Sequence, residues 1–466
     1  MDATQPGRAQ AAAILARLDR LPATRHVWTL VTLLSLGGMF ELYDLFMTAY
    51  VVPGLVKAGL LKDVAVGIFA GPALFVAATF TGLFIGTMFF GYVADKHGRR
   101  TIFTYSMLWY SAATLVMAFQ GTGLGVCIWR LIAGIGIGVE LVTIDTYLSE
   151  LVPKAIRGRS FAFNQTVQFC VVPIVAFISF LLVPASPFGL DGWRWVVLIG
   201  STGALAVWVI RLGLPESPRW LINQGRLDEA DAVTSALENK VMADLGGKSL
   251  PAPSHHSVED IQPVGRLSEI FEPAYRGRTI MLMIFQFFQT FGYYGFAAWV
   301  PTLITQQTGI NLHASLLYSF IIAIANPFGP LLGMSFADKI ERKWQVVGAA
   351  VCIGVFGMLF AYQSTMELLI LFGVLITLSN NVLSYSFHNY QAELFPARVR
   401  ARAVGFTYSL SRLSTVFASF IIGFFLQAAG SKGVFGLIAV AMTIVVISIG
   451  GWGPRTLNRE LEEISR

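Results

Sequence analysis

Charged residues are scarce in this sequence. Asp, Glu, Lys and Arg make up 13% of its 466 residues, whereas 55% are hydrophobic. Soluble proteins carry about 25% charged residues, so a soluble fold is excluded, because it would leave too much apolar surface in water. A lipid bilayer accepts apolar helices of about 20 residues. The composition therefore predicts an integral membrane protein.

Cysteines are also few. Cys127, Cys170 and Cys352 all fall inside apolar runs, which excludes a disulfide framework and predicts no metal site. The first 21 residues are polar and Ala-rich, so we expect no cleavable signal peptide. The net charge is +6, and the charged residues lie between apolar runs. This placement indicates anchoring to a membrane rather than binding to nucleic acid. No cofactor is expected.

Twelve apolar runs are long enough to cross a bilayer. They lie at about 27–52, 67–94, 102–119, 124–148, 160–183, 192–214, 277–303, 312–337, 344–362, 366–389, 403–426 and 432–452. In lipid every backbone polar group needs an internal partner, so such runs are helices or barrel strands, and these are too long for strands. The predicted fold class is all-α integral membrane, with twelve transmembrane helices in two six-helix bundles.

Lys and Arg concentrate on the side of the membrane that carries both termini, which the positive-inside rule makes cytoplasmic. A long loop then separates the first six runs from the last six, as in two-bundle transporters. We predict a monomeric, multi-pass protein of the cell inner (plasma) membrane. Its predicted segments are a cytoplasmic N-terminal segment 1–26, bundles 27–214 and 277–452, a central cytoplasmic loop with short helices 215–276, and a cytoplasmic tail 453–466.

Two charged motifs occur once in each half. Residues 91–100 read GYVADKHGRR and residues 334–343 read MSFADKIERK. Residues 149–158 read SELVPKAIRG and residues 392–401 read AELFPARVRA. Each motif follows an equivalent apolar run in its half. Two matched pairs at equivalent places indicate an internal repeat.

These motifs resemble those of the major facilitator superfamily over nearly the whole chain. Residues 91–100 match its loop motif, although the second copy has Met334 and Glu341 in place of glycines. Residues 147–158 and 215–226 resemble the sugar-porter branch. The resemblance implies a secondary transporter that works by alternating access and is not an enzyme. The sequence contains no Walker motif, so this chain alone is not an ATP-driven pump.

The second half also resembles another branch of the superfamily. Residues 292–301, 390–396 and 411–412 are similar to the organic-ion, synaptic-vesicle-protein-like branch, which includes bacterial transporters of nicotinate and aromatic acids.

The resemblance implies an ion-pair network that closes the cytoplasmic side; the alternative is a set of solvated basic loops. The residues implied are Asp95, Arg99, Glu150, Arg157, Glu216, Asp338, Arg342, Glu393 and Arg400.

Several charged residues lie inside apolar runs, where they are costly and usually functional. They are Glu41, Asp44, Arg130, Glu140 and Arg412. The resemblance to proton-coupled sugar porters implies that Asp44 and Arg130 couple protons to substrate, with Glu41 sharing the role. The alternative is a structural ion pair without proton traffic. The nearby glycines at 134, 136 and 138 indicate close helix packing rather than a nucleotide loop.

The expected substrate pocket is more aromatic and has fewer amides than that of sugar porters, which favours a flat ring over a polyol. Arg412 offers two parallel donors to a carboxylate; the alternative is a helix-packing arginine. The predicted pocket residues are Tyr43, Gln165, Gln289, Tyr293, Tyr294, Trp299, Asn381, Tyr385, His388 and Arg412.

The leading hypothesis is a proton symporter that imports a small aromatic or heterocyclic monocarboxylate such as nicotinate. The alternatives are a sugar–proton symporter, a broad organic-ion or drug transporter and, more remotely, a transporter-like solute sensor. Stoichiometry, direction and the exact substrate stay open at this point.

Overall fold

The computed structural model describes residues 5–62, 64–66, 69–153, 156–253, 266–336, 339–395 and 397–456. Asp338 lies outside these ranges, and the side chains of Asp95 and Arg400 are not described. The α-helices in these ranges are α1 Gln5–Asp19, α2 Arg25–Lys57, α3 Gly71–His97, α4 Arg99–Ala118, α5 Gly123–Leu151, α6 Arg157–Phe169, α7 Val171–Leu182, α8 Gly192–Ser201, α9 Gly203–Gly213, α10 Pro218–Asn223, α11 Leu227–Asp244, α12 Pro273–Ala297, α13 Val300–Thr308, α14 Leu312–Ala323, α15 Phe328–Phe336, α16 Arg342–Ala361, α17 Met366–Glu393 and α18 Ala397–Ile447.

The other regular elements are small. A two-stranded antiparallel hairpin follows α2, with β1 at Ala65–Val66 and β2 at Phe69–Ala70, and Ala65 pairs with Ala70. Short 3₁₀ turns lie at Pro187–Gly189 and Leu267–Phe271, and a π-helical turn at Ser448–Trp452. The hairpin is a minor departure from the all-α prediction.

Helices of membrane-spanning length dominate the described residues, and eight of them are long and apolar enough to cross a bilayer. The last of these runs from Arg402 to Trp452. It contains Gly430 with φ 63°, a non-helical conformation that divides it into two passes. The remaining predicted runs correspond to α4, the pair α8–α9, and α12. The predicted all-helical membrane fold is confirmed.

Four of the predicted runs are pairs of helices with a break between them. The breaks lie between α6 and α7, between α8 and α9, between α12 and α13, and between α14 and α15. Proline explains two of them: Pro327 precedes α15, and Pro301 lies in the first turn of α13, and proline cannot donate a backbone hydrogen bond. Broken helices in transporters border the substrate path.

Glycines allow α5 and α3 to pack very closely. A Cβ atom on Gly134 would lie 2.5 Å from the carbonyl oxygen of Thr79, and one on Gly138 would lie 2.3 Å from that of Leu83. Both distances are too short for any side chain. The glycine run therefore serves helix packing, as its place in an apolar span indicates.

The two halves of the chain, α2–α9 and α12–α18, meet at one end of the bundle. Phe177 and Phe320 have ring centroids 5.2 Å apart, and Phe180 and His313 have theirs 4.5 Å apart, which joins α7 to α14. Gly423 on α18 lies against Ala73 on α3. We call this the remote end, because α1 and residues 453–456 lie at the opposite, terminal end. The contacts close the bundle at the remote end.

At the terminal end, α1 docks on the helices that follow α9. Arg17 and Arg20 both form ion pairs with Glu238 of α11, at 2.6 Å each. Asp19 forms an ion pair with Arg219 of α10 at 2.7 Å. Ion pairs therefore hold α1, which precedes the first half, against α10 and α11, which follow it.

Candidate functional site

A cavity that is partly open to solvent lies between the two halves. Its lining residues are Leu42, Leu45, Phe46, Leu141, Asp145, Gln165, Gln168, Phe169, Gln289, Tyr293, Tyr294, Ser384, Phe387, His388, Tyr408, Ser411 and Arg412. Asp145 is exposed although it lies within α5, because it borders this cavity. Since it precedes the end of α5 at Leu151 by six residues, the cavity extends toward the terminal end.

Arg412 is the positive charge of this cavity. Its side chain is 2% exposed. It donates hydrogen bonds to the hydroxyl oxygens of Tyr294, at 2.6 Å, and Tyr408, at 2.7 Å. Its Nε atom is buried and has no hydrogen-bond partner among the described residues. Its partners there are thus neutral hydroxyl groups, and it forms no ion pair with any described carboxylate.

Helix packing positions this arginine. Tyr408 precedes it by one helical turn on α18, and its ring lies 4.8 Å from the guanidinium carbon. Tyr294 belongs to α12, and a hydrogen bond of 2.9 Å between the hydroxyls of Thr290 and Ser414 ties α12 to α18. The orientation of the guanidinium is therefore fixed from two helices.

The structure brings together six of the predicted pocket residues. Arg412 is described above, and the other five, which line the same cavity, are Gln165, Gln289, Tyr293, Tyr294 and His388. Gln289 also donates to the Gln286 side chain at 3.3 Å, and the His388 ring contacts the Ser384 carbonyl oxygen at 2.7 Å.

The other predicted pocket residues lie outside this cavity. Tyr43 points to α8, where its hydroxyl donates to the Val196 carbonyl oxygen at 3.0 Å. Asn381 lines an adjoining cavity toward the remote end and donates to Asn326. Tyr385 packs against Gly333. Trp299 is 3% exposed, at the start of α13. The sequence gives only the spacing of these residues along a helix, and that spacing does not determine which side chains face the cavity.

Asp145, Gln168 and Tyr408 line the cavity but were not predicted from the sequence. Asp145 lies within electrostatic reach of Arg412, so the cavity contains both signs of charge. A signal was present in the sequence, because Asp145 is an acidic residue inside the same apolar stretch as Arg130 and Glu140.

Asp44 and Arg130 form a completely buried ion pair with a 2.8 Å contact, and both side chains are 0% exposed. Arg130 also donates to the Asp44 carbonyl oxygen, to Thr48 and to Thr79. Thr114 donates to the second carboxylate oxygen of Asp44 at 3.0 Å. The predicted pairing is present, and each carboxylate oxygen has a donor.

Glu41 and Glu140 are buried differently. Their side chains are 1% and 0% exposed. Both carboxylate oxygens of Glu140 and one of Glu41 have no hydrogen-bond partner among the described residues. The hydroxyl of Tyr110, which lies within electrostatic reach of both, is also buried and has no partner in the described part of the chain.

Two ion pairs at the terminal end are related by the internal repeat. Arg99 contacts Glu150 at 3.0 Å, and Arg342 contacts Glu393. Both pairs are 51 residues apart in sequence, and the shift between them is 342 − 99 = 393 − 150 = 243 residues.

The other members of the expected network do not share one type of contact. Glu216 caps the start of α4 by accepting from the backbone N–H groups of Arg99, at 2.9 Å, and Arg100, at 3.2 Å. Arg157 lies 3.9 Å from Asp19. The predicted contacts of Asp95, Asp338 and Arg400 concern side chains outside the described residues.

Comparison with known proteins decides the family. The profile of the family described as "Sugar (and other) transporter" matches residues 30–466. The chain belongs to this sugar transporter family. This family member is therefore a multi-pass membrane transporter that takes a small-molecule substrate, and it is not an enzyme.

Full-length relatives show several substrates within the family. A putative metabolite transport protein YyaJ of Bacillus subtilis is 29% identical, with 96% of each chain covered. The niacin transporter NiaP of Acinetobacter baylyi is 27% identical over 97% of this chain and 99% of its own. The partially occluded, inward-open xylose transporter XylE from E. coli superposes with a TM-score of 0.73 at 19% identity, covering 93% of this chain and 99% of its own. It shows the major facilitator fold.

Proposed function

We propose that this transporter imports a small aromatic or heterocyclic monocarboxylate, with nicotinate as the best candidate, by proton symport. The observation that carries the proposal is Arg412: a buried guanidinium that borders the cavity and has no carboxylate partner among the described residues.

The energetics of burial favour an anionic substrate. An ion taken out of water loses several kcal/mol of solvation unless a partner compensates it. The hydroxyls of Tyr294 and Tyr408 are neutral acceptors and compensate only in part. A carboxylate gives shorter, charge-assisted hydrogen bonds and matches the planar guanidinium in a bidentate geometry. A bound carboxylate therefore supplies the compensation that the arginine lacks.

The walls of the cavity favour a flat ring. Phe46, Phe169, Tyr293, Phe387 and His388 all contribute aromatic surface. Aromatic rings attract one another in offset-stacked or edge-to-face geometries beyond the area they bury. A niacin transporter at 27% identity over 97% of this chain supports the same substrate class.

In this proposal protons drive import. Asp44 and Glu41, with Arg130 as counter-ion, are the proton-coupling candidates, and the pairs Arg99–Glu150 and Arg342–Glu393 belong to the cytoplasmic gate. Pairs of this kind are individually weak, so they can break and re-form as access alternates. The protein acts as a monomer in the inner membrane, with its terminal end in the cytoplasm.

A sugar is the second candidate substrate. Three amide side chains, Gln165, Gln168 and Gln289, line the same cavity as Arg412, and amides are suitable partners for hydroxyl groups. A sugar leaves the charge of Arg412 without an anionic partner, which is why this candidate ranks second.

Uptake into proteoliposomes tests the proposal. Purified transporter is reconstituted, an inward proton gradient is imposed, and radiolabelled nicotinate, benzoate and xylose are supplied in parallel. We expect nicotinate, benzoate or both to accumulate above equilibrium, with a protonophore abolishing the accumulation. Accumulation of xylose alone identifies the protein as a sugar–proton symporter instead. Nicotinate uptake equal to that of empty liposomes rejects the nicotinate assignment.

A further inference from the structure

Two tyrosines at the terminal end are related by the internal repeat. Tyr147 lies on α5 and Tyr390 on α17, and they are separated by 390 − 147 = 243 residues. This is the shift that relates the two ion pairs of the cytoplasmic gate. Both tyrosines are at most 1% exposed, so each buried hydroxyl group needs a hydrogen-bond partner.

The tyrosine of the first half ties α5 to the segment that leaves the last span of that half. Tyr147 donates a hydrogen bond to the carbonyl oxygen of Pro215. We call residues 215–217, which follow α9, the first exit segment. Glu150, the acidic partner of Arg99, lies about one helical turn beyond Tyr147 on the same helix. The first exit segment is therefore bound to the helix that carries the carboxylate of the ion pair.

The same segment also holds the helix that carries the arginine. Glu216 accepts hydrogen bonds from the backbone N–H groups of Arg99, at 2.9 Å, and Arg100, at 3.2 Å. A Cβ atom on Gly98 would collide with the Glu216 carboxylate, and Gly98 has φ 95°, a conformation that favours glycine. The first exit segment therefore joins α5 to the start of α4, alongside the ion pair Arg99–Glu150.

The second half repeats this arrangement. We call residues 453–456, which follow the π-helical turn, the second exit segment. Tyr390 donates a hydrogen bond to the carbonyl oxygen of Pro454 at 2.9 Å, and it lies about one turn before Glu393 on α17. A Cβ atom on Gly453 would lie 2.6 Å from the Tyr390 hydroxyl oxygen, which is too close for any side chain. The contact of Tyr390 with the second exit segment therefore requires glycine at this position.

Two further contacts join the second exit segment to the start of α16. Lys343 donates to the carbonyl oxygen of Gly453 at 2.8 Å, and Glu341 accepts from the backbone N–H group of Thr456 at 2.9 Å. Lys343 and Glu341 flank Arg342, the basic member of the second ion pair. In both halves, an exit segment therefore bridges the two helices that carry the members of an ion pair.

A bridge beside the ion pair matters when the pair is broken. The side chains of the two ion pairs are 10% to 26% exposed, and ion pairs that water reaches are weak. The tyrosine side chains are buried, and a buried hydrogen bond is costly to break because its groups then lack a partner away from water. The bridge therefore persists while the ion pair opens. Because the arginine and the carboxylate then stay close together, little ordering is needed to re-form the pair.

We propose that Tyr147 and Tyr390 are positioning residues for transport, which hold the two helices of each ion pair at a fixed spacing through the exit segments. Each pair then breaks and re-forms as access alternates, without separation of its helices. The inference rests on the proposed function only in taking the two ion pairs as the cytoplasmic gate. Both tyrosines lie within motifs of the sequence, but neither those motifs nor the relatives assign a role to their hydroxyl groups.

Removal of a single hydroxyl group tests each bridge with little disturbance of the packing. Tyr147→Phe and Tyr390→Phe are reconstituted, and the rate and the half-saturating concentration of nicotinate uptake are measured. We expect each variant to slow uptake about three- to tenfold, the factor that one hydrogen bond represents, at an unchanged half-saturating concentration. Tyr362→Phe, at an exposed position of the remote end, keeps the wild-type rate. A rate in either variant equal to that of this control overturns the proposal.

A double-substitution cycle separates positioning from a purely structural role. If Tyr390 acts through the ion pair, Tyr390→Phe slows uptake less than about twofold once Glu393→Gln has removed that pair, because coupled residues are not additive. Independent structural effects multiply, so a rate that equals the product of the two single effects overturns the proposal. Wild-type uptake in Glu393→Gln rejects the gate role and this inference with it. Slowed uptake in Glu393→Gln beside unimpaired uptake in Tyr390→Phe rejects this inference alone.

A third measurement needs no substrate. Spin labels in place of His97 and Arg402, which are exposed at the terminal ends of the two halves, report how far that end opens. We expect the population with the short, closed distance to fall in Tyr147→Phe and in Tyr390→Phe, and to stay at the wild-type level in Tyr362→Phe. Wild-type populations in both of the first two variants overturn the proposal, also when nicotinate is not the substrate.

Discussion

The guanidinium of Arg412 lies 2.6 Å from the hydroxyl oxygen of Tyr294 and donates a hydrogen bond to it. The two residues are 118 positions apart in the sequence, on helices that pack together within the second half. This contact orients a buried positive charge at the cavity without neutralising it. An anion that binds there meets a fixed donor, so little ordering of the arginine is needed on binding.

Replacing Arg412 is expected to weaken nicotinate binding. Arg412→Gln removes a charge-assisted contact of roughly 1.5–3 kcal/mol, which corresponds to a loss of affinity of about ten- to a hundredfold. Arg412→Lys rescues part of it, because an ammonium group is a point donor rather than a fork. Isothermal titration on purified protein measures both. Arg402→Gln, at an exposed position of the same helix, serves as control, and an Arg412→Gln affinity equal to that of this control refutes the contact.

Replacing Asp145 is expected to have the opposite effect. Asp145 borders the cavity within electrostatic reach of Arg412, so it repels an incoming carboxylate and partly offsets the arginine. Asp145→Asn removes that charge and tightens nicotinate binding by about three- to tenfold at neutral pH, an energy typical of charges near water. The same titration reports it, and weaker binding in Asp145→Asn contradicts an anionic substrate at this site.

The ion pair Arg99–Glu150 is expected to govern the transport cycle. Arg99→Glu places two negative charges together and lowers the uptake rate about tenfold or more, without reducing the amount of protein in the membrane. The double exchange Arg99→Glu with Glu150→Arg restores part of the rate, since the reversed pair regains the attraction that the single substitution removes.

A matched comparison comes from the partly exposed pair Arg194–Asp191 at the start of α8. Removing that pair leaves uptake unchanged. Wild-type uptake in Arg99→Glu excludes a gating role for its ion pair.

The docking of α1 on α11 is expected to depend on pH. Burial alone raises the pKa of Glu238, but hydrogen bonds and charges from Arg17 and Arg20 outweigh it and hold this pKa below its ordinary value. A carboxyl whose pKa is lowered by docking stabilises the docked form above the pKa of the free form, and the stabilisation is lost as pH falls through the lower value.

We therefore expect α1 to stay docked at neutral pH and to separate from α11 below about pH 4. Spin labels on the two helices measure the distance between them, and Glu238→Gln reproduces the separation at pH 7. A distance that is constant from pH 7 to pH 3 in the wild type shows that these ion pairs do not hold α1.

Much of the fold was predictable from the sequence, because the bilayer imposes a length and an apolar composition on each span. The motif copies at 91–100 and 334–343 also indicated the internal repeat, and the equal spacing of Arg99–Glu150 and Arg342–Glu393 follows from it. The breaks inside spans were not predicted. They depend on local features such as Pro327, which precedes α15, and an apolar run alone does not show where such a feature interrupts the helix.

The site was predicted in part. The pairing of Asp44 with Arg130 was implied by the resemblance to proton-coupled sugar porters, and the two side chains are in contact. The cavity positions of Tyr43 and Tyr385 were not borne out by the contacts of these side chains, because which face of a helix meets the cavity depends on neighbours far away in the chain. Asp145 was not predicted, because it belongs to none of the motifs that indicate the family.

The central claim is that Arg412 selects a carboxylate, and equilibrium binding of nicotinate and nicotinamide to the purified wild-type protein tests it most directly. The two molecules share a ring and differ in charge. We expect nicotinate to bind at least about tenfold more tightly than nicotinamide, as a charge-assisted contact requires. Equal affinities for the two molecules, or tighter binding of xylose than of nicotinate, contradict it.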